Sequence, residues 1–435
     1  MNRYRWTVLA VGAAGTAAIS ALRQGLPALA PALRSTYHLS LPELGLVLAS
    51  VNVGIVVTLV PWGALADRIG ERPVMAAGLG GAAVALTLGA FAPDLGWIVA
   101  GLLAAGMFGA SATGASGRAV MGWFSRRERG FALGIRQMAI PLGGAAAALT
   151  LPALVGAHGL RAGLLVLAAA CLASAVAAGV LMRDPPASEP PVGLAPAPAP
   201  MRDPRIWRLG AGSALLVVAQ GSILGFVVVF LHDERGLSVA AAGAGLAAIQ
   251  IGGAIARLVL GRRSDRLERR IAPIRRVALS DAALLAAAAL LATAPGGVLY
   301  PVLLLAGIVS MSWNGLAFTA AAEISGRRRA GTAMSLQNTV ISAAAAAVPV
   351  AFGALVQVGS WRLGYAAAAL APLAGWVVLR PLEADEERRA ADREVRLATH
   401  RRAARSRSCK PTRRGERPAP APQSQDKRWQ PRLPT

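Results

Sequence analysis

The chain has 435 residues, of which 55% are hydrophobic and 15% charged, and its 45 Lys and Arg against 22 Asp and Glu give a formal net charge of +23. Soluble globular domains carry roughly 25% charged residues, so a string of ordinary soluble domains is excluded, whereas twelve bilayer crossings of about 20 residues need about 240 apolar positions, which is what 55% of this chain supplies. Two cysteines, Cys171 and Cys409, exclude a disulfide scaffold, and four scattered histidines leave little for a metal site, so no cofactor is expected.

In chain order, residues 6–29 form a first apolar span interrupted by Arg23. It is too long for a cleaved signal segment and lacks a convincing small-residue cleavage site. Arg23 falls about 25 Å along the helix from Trp6 and reads as reaching outward to the far surface. Asp, Glu, Lys and Arg are then missing from 44–66, 73–93, 95–117, 137–157, 162–182, 209–231 and 236–256. The window 282–322 is long enough for two crossings, with a break at Pro295-Gly296-Gly297, and leaves Asp281 and Glu323 at its ends. The window 330–361 reads as one long helix with its outer loop, and 363–379 as the last span. The expectation is an all-α membrane protein of twelve transmembrane helices.

The charge is unevenly distributed. Alternating sides at each crossing through Arg380 assigns 22 basic residues to the side of the N-terminus and four, Arg34, Arg161, Arg235 and Arg362, to the other. Short loops rich in Lys and Arg stay in the cytoplasm, so both termini are expected there. The positive charge is then mostly topological, and nucleic-acid binding is set aside. Arginine outnumbers lysine 43 to 2, a hint of a high-GC bacterial genome and of the bacterial cytoplasmic membrane, with lipids as surroundings and a monomer as the expected state.

Eight prolines between Pro185 and Pro204 offer no helical hydrogen-bonding pattern and read as an extended linker. The expected organisation is therefore a six-helix bundle over 1–183, a linker over 184–205, a second bundle over 206–380 and a basic, largely disordered tail over 381–435. Trp6 and Trp207, Gly130 and Gly331, and Arg161 and Arg362 each recur 201 residues apart. A repeat of six spans sets a cavity at the interface of its copies, near the bilayer midplane.

After the second span comes Gly63-Ala64-Leu65-Ala66-Asp67-Arg68-Ile69-Gly70-Glu71-Arg72. It resembles the loop signature of the major facilitator superfamily, G-x-L-x-D-R-x-G-R-R/K, with Glu71 in place of a usual basic residue. A degenerate copy, Gly261-Arg262-Arg263-Ser264-Asp265-Arg266, follows the eighth span, and Trp123-Phe124-Ser125-Arg126-Arg127-Glu128-Arg129-Gly130 is similar to the family's loop between spans four and five. The resemblance covers residues 1–380 and implies two pseudo-symmetric six-helix bundles that transport by alternating access. It further implies that Asp67, Arg68 and Arg72, with Gly63 and Gly70, belong to a gate, and Gly261, Asp265 and Arg266 to its counterpart. The residue types suit a gate, since glycine permits close approach and sharp turns, aspartate accepts hydrogen bonds at helix starts, and arginine pairs with carboxylates. Arg118 and Arg257, near the cytoplasmic face, read as gate residues too.

Polar groups at depth in a membrane are functional candidates. Asn52 and Gln250 each stand eleven residues before Gly63 and Gly261, about 16 Å from that end, near the midplane. Arg136-Gln137 and Gln337-Asn338 occupy positions 201 apart, and Asn314 lies in span ten. These residues are the expected lining of a path for a polar or anionic solute; the other reading of each amide is a hydrogen bond between helices. A buried guanidinium such as Arg136 needs an anion, a carbonyl or water.

A secondary transporter for a small polar or anionic solute is the leading expectation. A multidrug exporter of the same superfamily is the alternative, disfavoured by 5% aromatic content, by Leu102 where exporters of that kind often have arginine, and by the incomplete Ile140-Pro141-Leu142-Gly143-Gly144 version of their fifth-span signature. A membrane-embedded enzyme lacks a nucleophile near His38, His158 or His232, and a non-transporting sensor would signal through its tail. No coupling residue for protons is identified from the sequence.

Overall fold

The structure, a computed structural model, describes residues 4–124, 128–183, 200–326, 329–389 and 391; the side chains of Asp67 and of residues 121, 129–131, 200, 330 and 331 lie outside the described set. The loop residues Ser125, Arg126, Arg127, Arg327 and Arg328, most of the linker and most of the tail therefore also lie outside it. The chain divides into two units, Met1–Ala384 and Asp385–Thr435. In the second, an Arg388–Asp385 pair one turn apart is largely exposed.

The described residues of the first unit form helices joined by short turns, with no strand among them. Helix α1 (Tyr4–Gly25) runs through a tight turn at Leu26–Leu29 into α2 (Ala30–Tyr37). Pro27 and Pro31 each stand in a first helical turn, where a missing N–H costs little. Helix α3 (Leu41–Ile69) starts at Ser40, whose side chain accepts from the Glu43 N–H while Glu43 reaches back, a reciprocal cap. Gly70, at φ 90°, makes the turn into α4 (Glu71–Gly89), a conformation that suits glycine. Helix α5 (Leu95–Trp123) is capped by Asp94, and α6 (Arg129–Leu181) is 53 residues long with a non-helical break at Gly159, φ 79°.

The second half repeats these devices. Helix α7 (Pro204–Val229) widens into a π-type turn over Phe230–Glu234; α8 (Val239–Leu267) starts at Ser238. Helices α9 (Ile271–Leu290), α10 (Gly296–Ser310), α11 (Asn314–Ser325), α12 (Ala330–Val358) and α13 (Trp361–Val378) follow. Both α3 and α8 have 29 residues and a serine cap. Their offset is 198 rather than 201 because the first span runs to Tyr37, a few residues longer than its copy; the loop from α8 to α9 restores the register.

Ten helical stretches are long and apolar enough to cross a membrane among the described residues. One, Ala132–Leu181, is 50 residues long and contains the Gly159 break, enough for two crossings. Helix α9 is not among the ten: Arg275, Arg276 and Asp281 lower its apolarity. Because α9 begins at Ile271, Asp281 lies in the middle of a helix and is buried, not at a span's end as the charge-free window implied. The halves meet where α3 packs on α12 and α6 on α8. Small residues allow that approach: a β-carbon at Gly45 would lie 2.3 Å from the Pro349 carbonyl oxygen, and one at Gly353 would lie 2.4 Å from that of Leu41.

Candidate functional site

A cavity of about 90 Å³ lies between the halves. The first span contributes Arg23, Gln24 and Pro27, α3 contributes Leu48 and Asn52, α7 contributes Val217, Gln220 and Leu224, and α12 contributes Ala345 and Pro349. Asn52 and Gln250 each stand eleven residues from the first residue of α3 and α8, about 16 Å in. The outward reach expected of Arg23 is not what the structure shows. Its span continues to Tyr37, so Arg23 sits well inside a 34-residue helical run, and its accessible side chain faces the cavity. Neither it nor Gln220 is legible in the sequence as a site residue, because the window 6–29 puts Arg23 near an end and the Gln220 position has no polar counterpart in the first half.

Gln250 is completely buried, and neither atom of its amide finds a partner. The Gln24 Oε1 is likewise buried and unpartnered. Both amides crowd Gly144: a β-carbon there would lie 2.8 Å from the Gln250 Nε2 and 3.1 Å from the Gln24 Oε1. A β-carbon at Gly143 would likewise lie 2.3 Å from the Ala17 carbonyl oxygen, so the two glycines of the Pro141-Leu142-Gly143-Gly144 segment serve close packing. Asn314 donates to the Gln220 Oε1 at 3.2 Å. It opens α11 just after a break at 311–313, where the Met311 carbonyl, freed from the helix, accepts from the Arg257 Nε and Nη2 at 3.3 and 3.1 Å. The structure thus brings Asn52 to the cavity, with Asn314 bonded to the cavity residue Gln220 and Gln250 neighbouring the cavity residue Gln24.

Arg136, Gln137 and Gln337 are held elsewhere, inside their own halves. Arg136 is buried and donates to the Ser116 hydroxyl (2.7 Å), the Thr113 carbonyl (2.6 Å) and the Gln137 Oε1 (3.1 Å). Its requirement for a counter-group is met by the protein. At the matching position, Gln337 donates to Ser213 at 3.1 Å. Asn338 is half-buried.

At the helix ends that carry the Gly63–Arg72 signature, Glu71, the departure from it, is buried and pairs with Arg118 at 3.2 Å. Arg118 also points an Nη1 at the Gly63 carbonyl, 3.5 Å away, and Arg72 donates to the Gly179 carbonyl at 2.7 Å. Arg68 is exposed, and the Asp67 side chain lies outside the described residues. In the copy, Asp265 binds Arg270 at 2.5 Å, and Arg270 also binds Glu323 at 3.0 Å. Burial alone would lower the Arg270 pKa, but its hydrogen bonds to Asp265 and Glu323 leave it raised. Arg266 is exposed, and β-carbons at Gly63 and Gly261 would meet nothing within 4 Å.

The opposite ends of the helices are drawn together instead. Arg34 pairs with Asp233 across the two halves, and the Leu41 N–H donates to the Gln357 Oε1 at 3.3 Å. The seam continues inward at Gly45, two helical turns outside Asn52, against Pro349, which also lines the cavity.

Two halves joined at one face around a polar cavity define a multi-pass helical membrane protein of the transporter type. Residues 12–349 match the family model described as Major Facilitator Superfamily. An uncharacterised MFS-type transporter of Mycobacterium tuberculosis H37Rv, Rv2994, is 37% identical over 403 residues, covering 90% of this chain and 89% of the relative. The chain belongs to the major facilitator superfamily. Its fold is similar to that of a bacterial homologue of the human lysosomal transporter Spinster in an inward-facing, unoccupied conformation, with a TM-score of 0.73 at 17% identity, covering 89% and 97% of the two chains. It is also similar to the nucleoside transporter NupG, with a TM-score of 0.71 at 14% identity, covering 87% and 99%.

Proposed function

We propose that this member of the superfamily is a secondary active transporter that carries a small polar solute across a bacterial cytoplasmic membrane by alternating access, with twelve crossings and both termini inside. The two six-helix bundles are 1–183 and 206–380, joined by a linker over 184–205. The observation that carries this reading is the pairing of a tight outer seam with a cavity directly beneath it that holds Arg23, Gln24, Asn52 and Gln220. In the state described, Gly45 and Gly353 press on the opposite half, whereas Gly63 and Gly261 have open space beside them. That is the arrangement of a transporter shut outside and accessible from the cytoplasm. In the opposite state the seams exchange: the Asp67 and Asp265 loops close the inner face and the outer seam parts.

The cavity's size favours a small solute over the alternative, multidrug export. About 90 Å³ is far below the roughly 300–1,000 Å³ of pockets that hold drug-sized molecules. None of the residues lining it is aromatic. Counterflow in proteoliposomes, with small acids, sugars, nucleosides and lipophilic dyes as cargo, tests the proposal. Exchange of a small polar solute is expected. Exchange of dyes alone would return the exporter reading, and exchange of nothing in that set would remove the assignment.

A further inference from the structure

We infer that the cavity is an anion site, with Arg23 as the charge anchor and Gln24, which neighbours the buried Gln250 amide, reading the rest of the solute, so that the cargo is a small organic acid with one anionic group. The inference rests on the transport reading and narrows it to a substrate class. Three observations carry it. Arg23 is a full positive charge in the mid-membrane part of its span, where charge is costly unless it serves a partner. None of the residues lining the cavity is acidic, and among the described residues Arg23 makes no ion pair or hydrogen bond. The guanidinium therefore has its planar set of donors free, and these match a carboxylate in a two-point contact.

The second observation is independent of charge. Gln250, fully buried, and Gln24 leave three amide atoms without partners around the Gly144 backbone: the Oε1 of Gln24, and the Oε1 and Nε2 of Gln250. Buried polar atoms left unmatched are destabilising, and a solute bearing a hydroxyl or amide beside its carboxylate relieves part of this by drawing the Gln24 side chain, which lines the cavity, toward itself. The third is the contrast with Arg136. That arginine is more deeply buried, yet its donors are taken by Ser116, Thr113 and Gln137. Of the two arginines, Arg23 alone is both accessible and unmatched.

The test measures binding and transport separately. Purified full-length protein is melted with acetate, lactate, benzoate, nitrate and inorganic phosphate, and with acetamide, lactamide and benzamide as uncharged matches. At least one carboxylate is expected to raise the melting temperature of the wild type where its amide does not. Arg23→Gln is expected to weaken that binding by about 10–150-fold, as for a lost charge-assisted hydrogen bond, and Arg23→Lys to retain part of it. Carboxylate stabilisation that survives in Arg23→Gln, or no anion in the panel acting on the wild type, overturns the proposal. Stabilisation by phosphate or nitrate alone overturns the organic-acid class. In parallel counterflow, carboxylate binding without exchange contradicts the transport reading and leaves the site standing. Exchange of an uncharged amide that is undiminished in Arg23→Gln contradicts the site and leaves transport standing.

Discussion

Replacing Gly45 with alanine adds a single methyl group at the outer seam. That methyl carbon would lie 2.3 Å from the Pro349 carbonyl oxygen, 2.7 Å from its carbon and 2.9 Å from the Val350 Cα. All three are backbone atoms of α12, so no side-chain rotation relieves the contact. Carbon–carbon contacts are comfortable at about 3.5–4.0 Å, so α3 and α12 must separate by on the order of 1 Å at this point. Overpacking of this kind costs about 1–3 kcal/mol. The penalty falls only on the state in which the outer ends are closed, which converts it into a shift of roughly 5–150-fold toward the outward-open state. The assay is labelling of single cysteines by a membrane-impermeant maleimide from outside, at Asn52 in the cavity, in the Gly45→Ala background. Faster labelling than in the Gly45 parent, with unchanged expression, is expected. Equal labelling rates would refute the claim that this glycine sets how tightly the outer face shuts. Gly63→Ala supplies the opposite case. Its methyl has open space in the state described, so it is expected to leave melting behaviour unchanged while hindering closure of the inner face.

The ion pair between Arg34 and Asp233 is about one-third exposed on both sides, so its loss in Arg34→Ala is expected to cost about 0.2–1 kcal/mol of the closed outer state, and Arg34→Asp, which sets two carboxylates together, more than that. The double reversal Arg34→Asp with Asp233→Arg should restore the parent labelling rate, and failure to restore it would argue against direct pairing. Arg136→Ala leaves the Ser116 hydroxyl and the Thr113 carbonyl without their donor, an expected loss of about 1–3 kcal/mol seen as a lower melting temperature, with carboxylate binding retained. Loss of binding at unchanged stability would move Arg136 into the substrate site. Deleting 411–435 should leave exchange rates near normal, and an inactive truncation would contradict a passive tail.

Much of the fold is legible in the sequence because the membrane imposes coarse rules: charge-free windows, loop arginines and the Gly63–Arg72 signature each report a constraint that neighbouring helices do not alter. The site is less legible because it depends on where helices begin and end. Arg23 changes from a surface residue to a cavity residue once the tight turn at Leu26–Leu29 carries its span on to Tyr37. Asp281 changes from an end residue to a buried mid-helix one because α9 starts at Ile271, before the charge-free window does. Arg136 and Gln337 are readable as deep polar groups, but not as groups that donate within their own halves, since Ser116 and Ser213 come from other helices. Glu71 reads as a defect in the signature until Arg118, 47 residues away, is seen to pair with it.

The most direct test of the central claim is a pair of spin-label distances in proteoliposomes, one across the outer ends at Thr36 and Ala240 and one across the inner ends at Ile69 and Leu267. Without cargo, the outer pair is predicted to be short and the inner pair long. In Gly45→Ala, or when cargo drives turnover, the outer distance should grow as the inner one shrinks. Two distances that stay fixed, or that lengthen together, would contradict a transporter whose halves rock about one enclosed site.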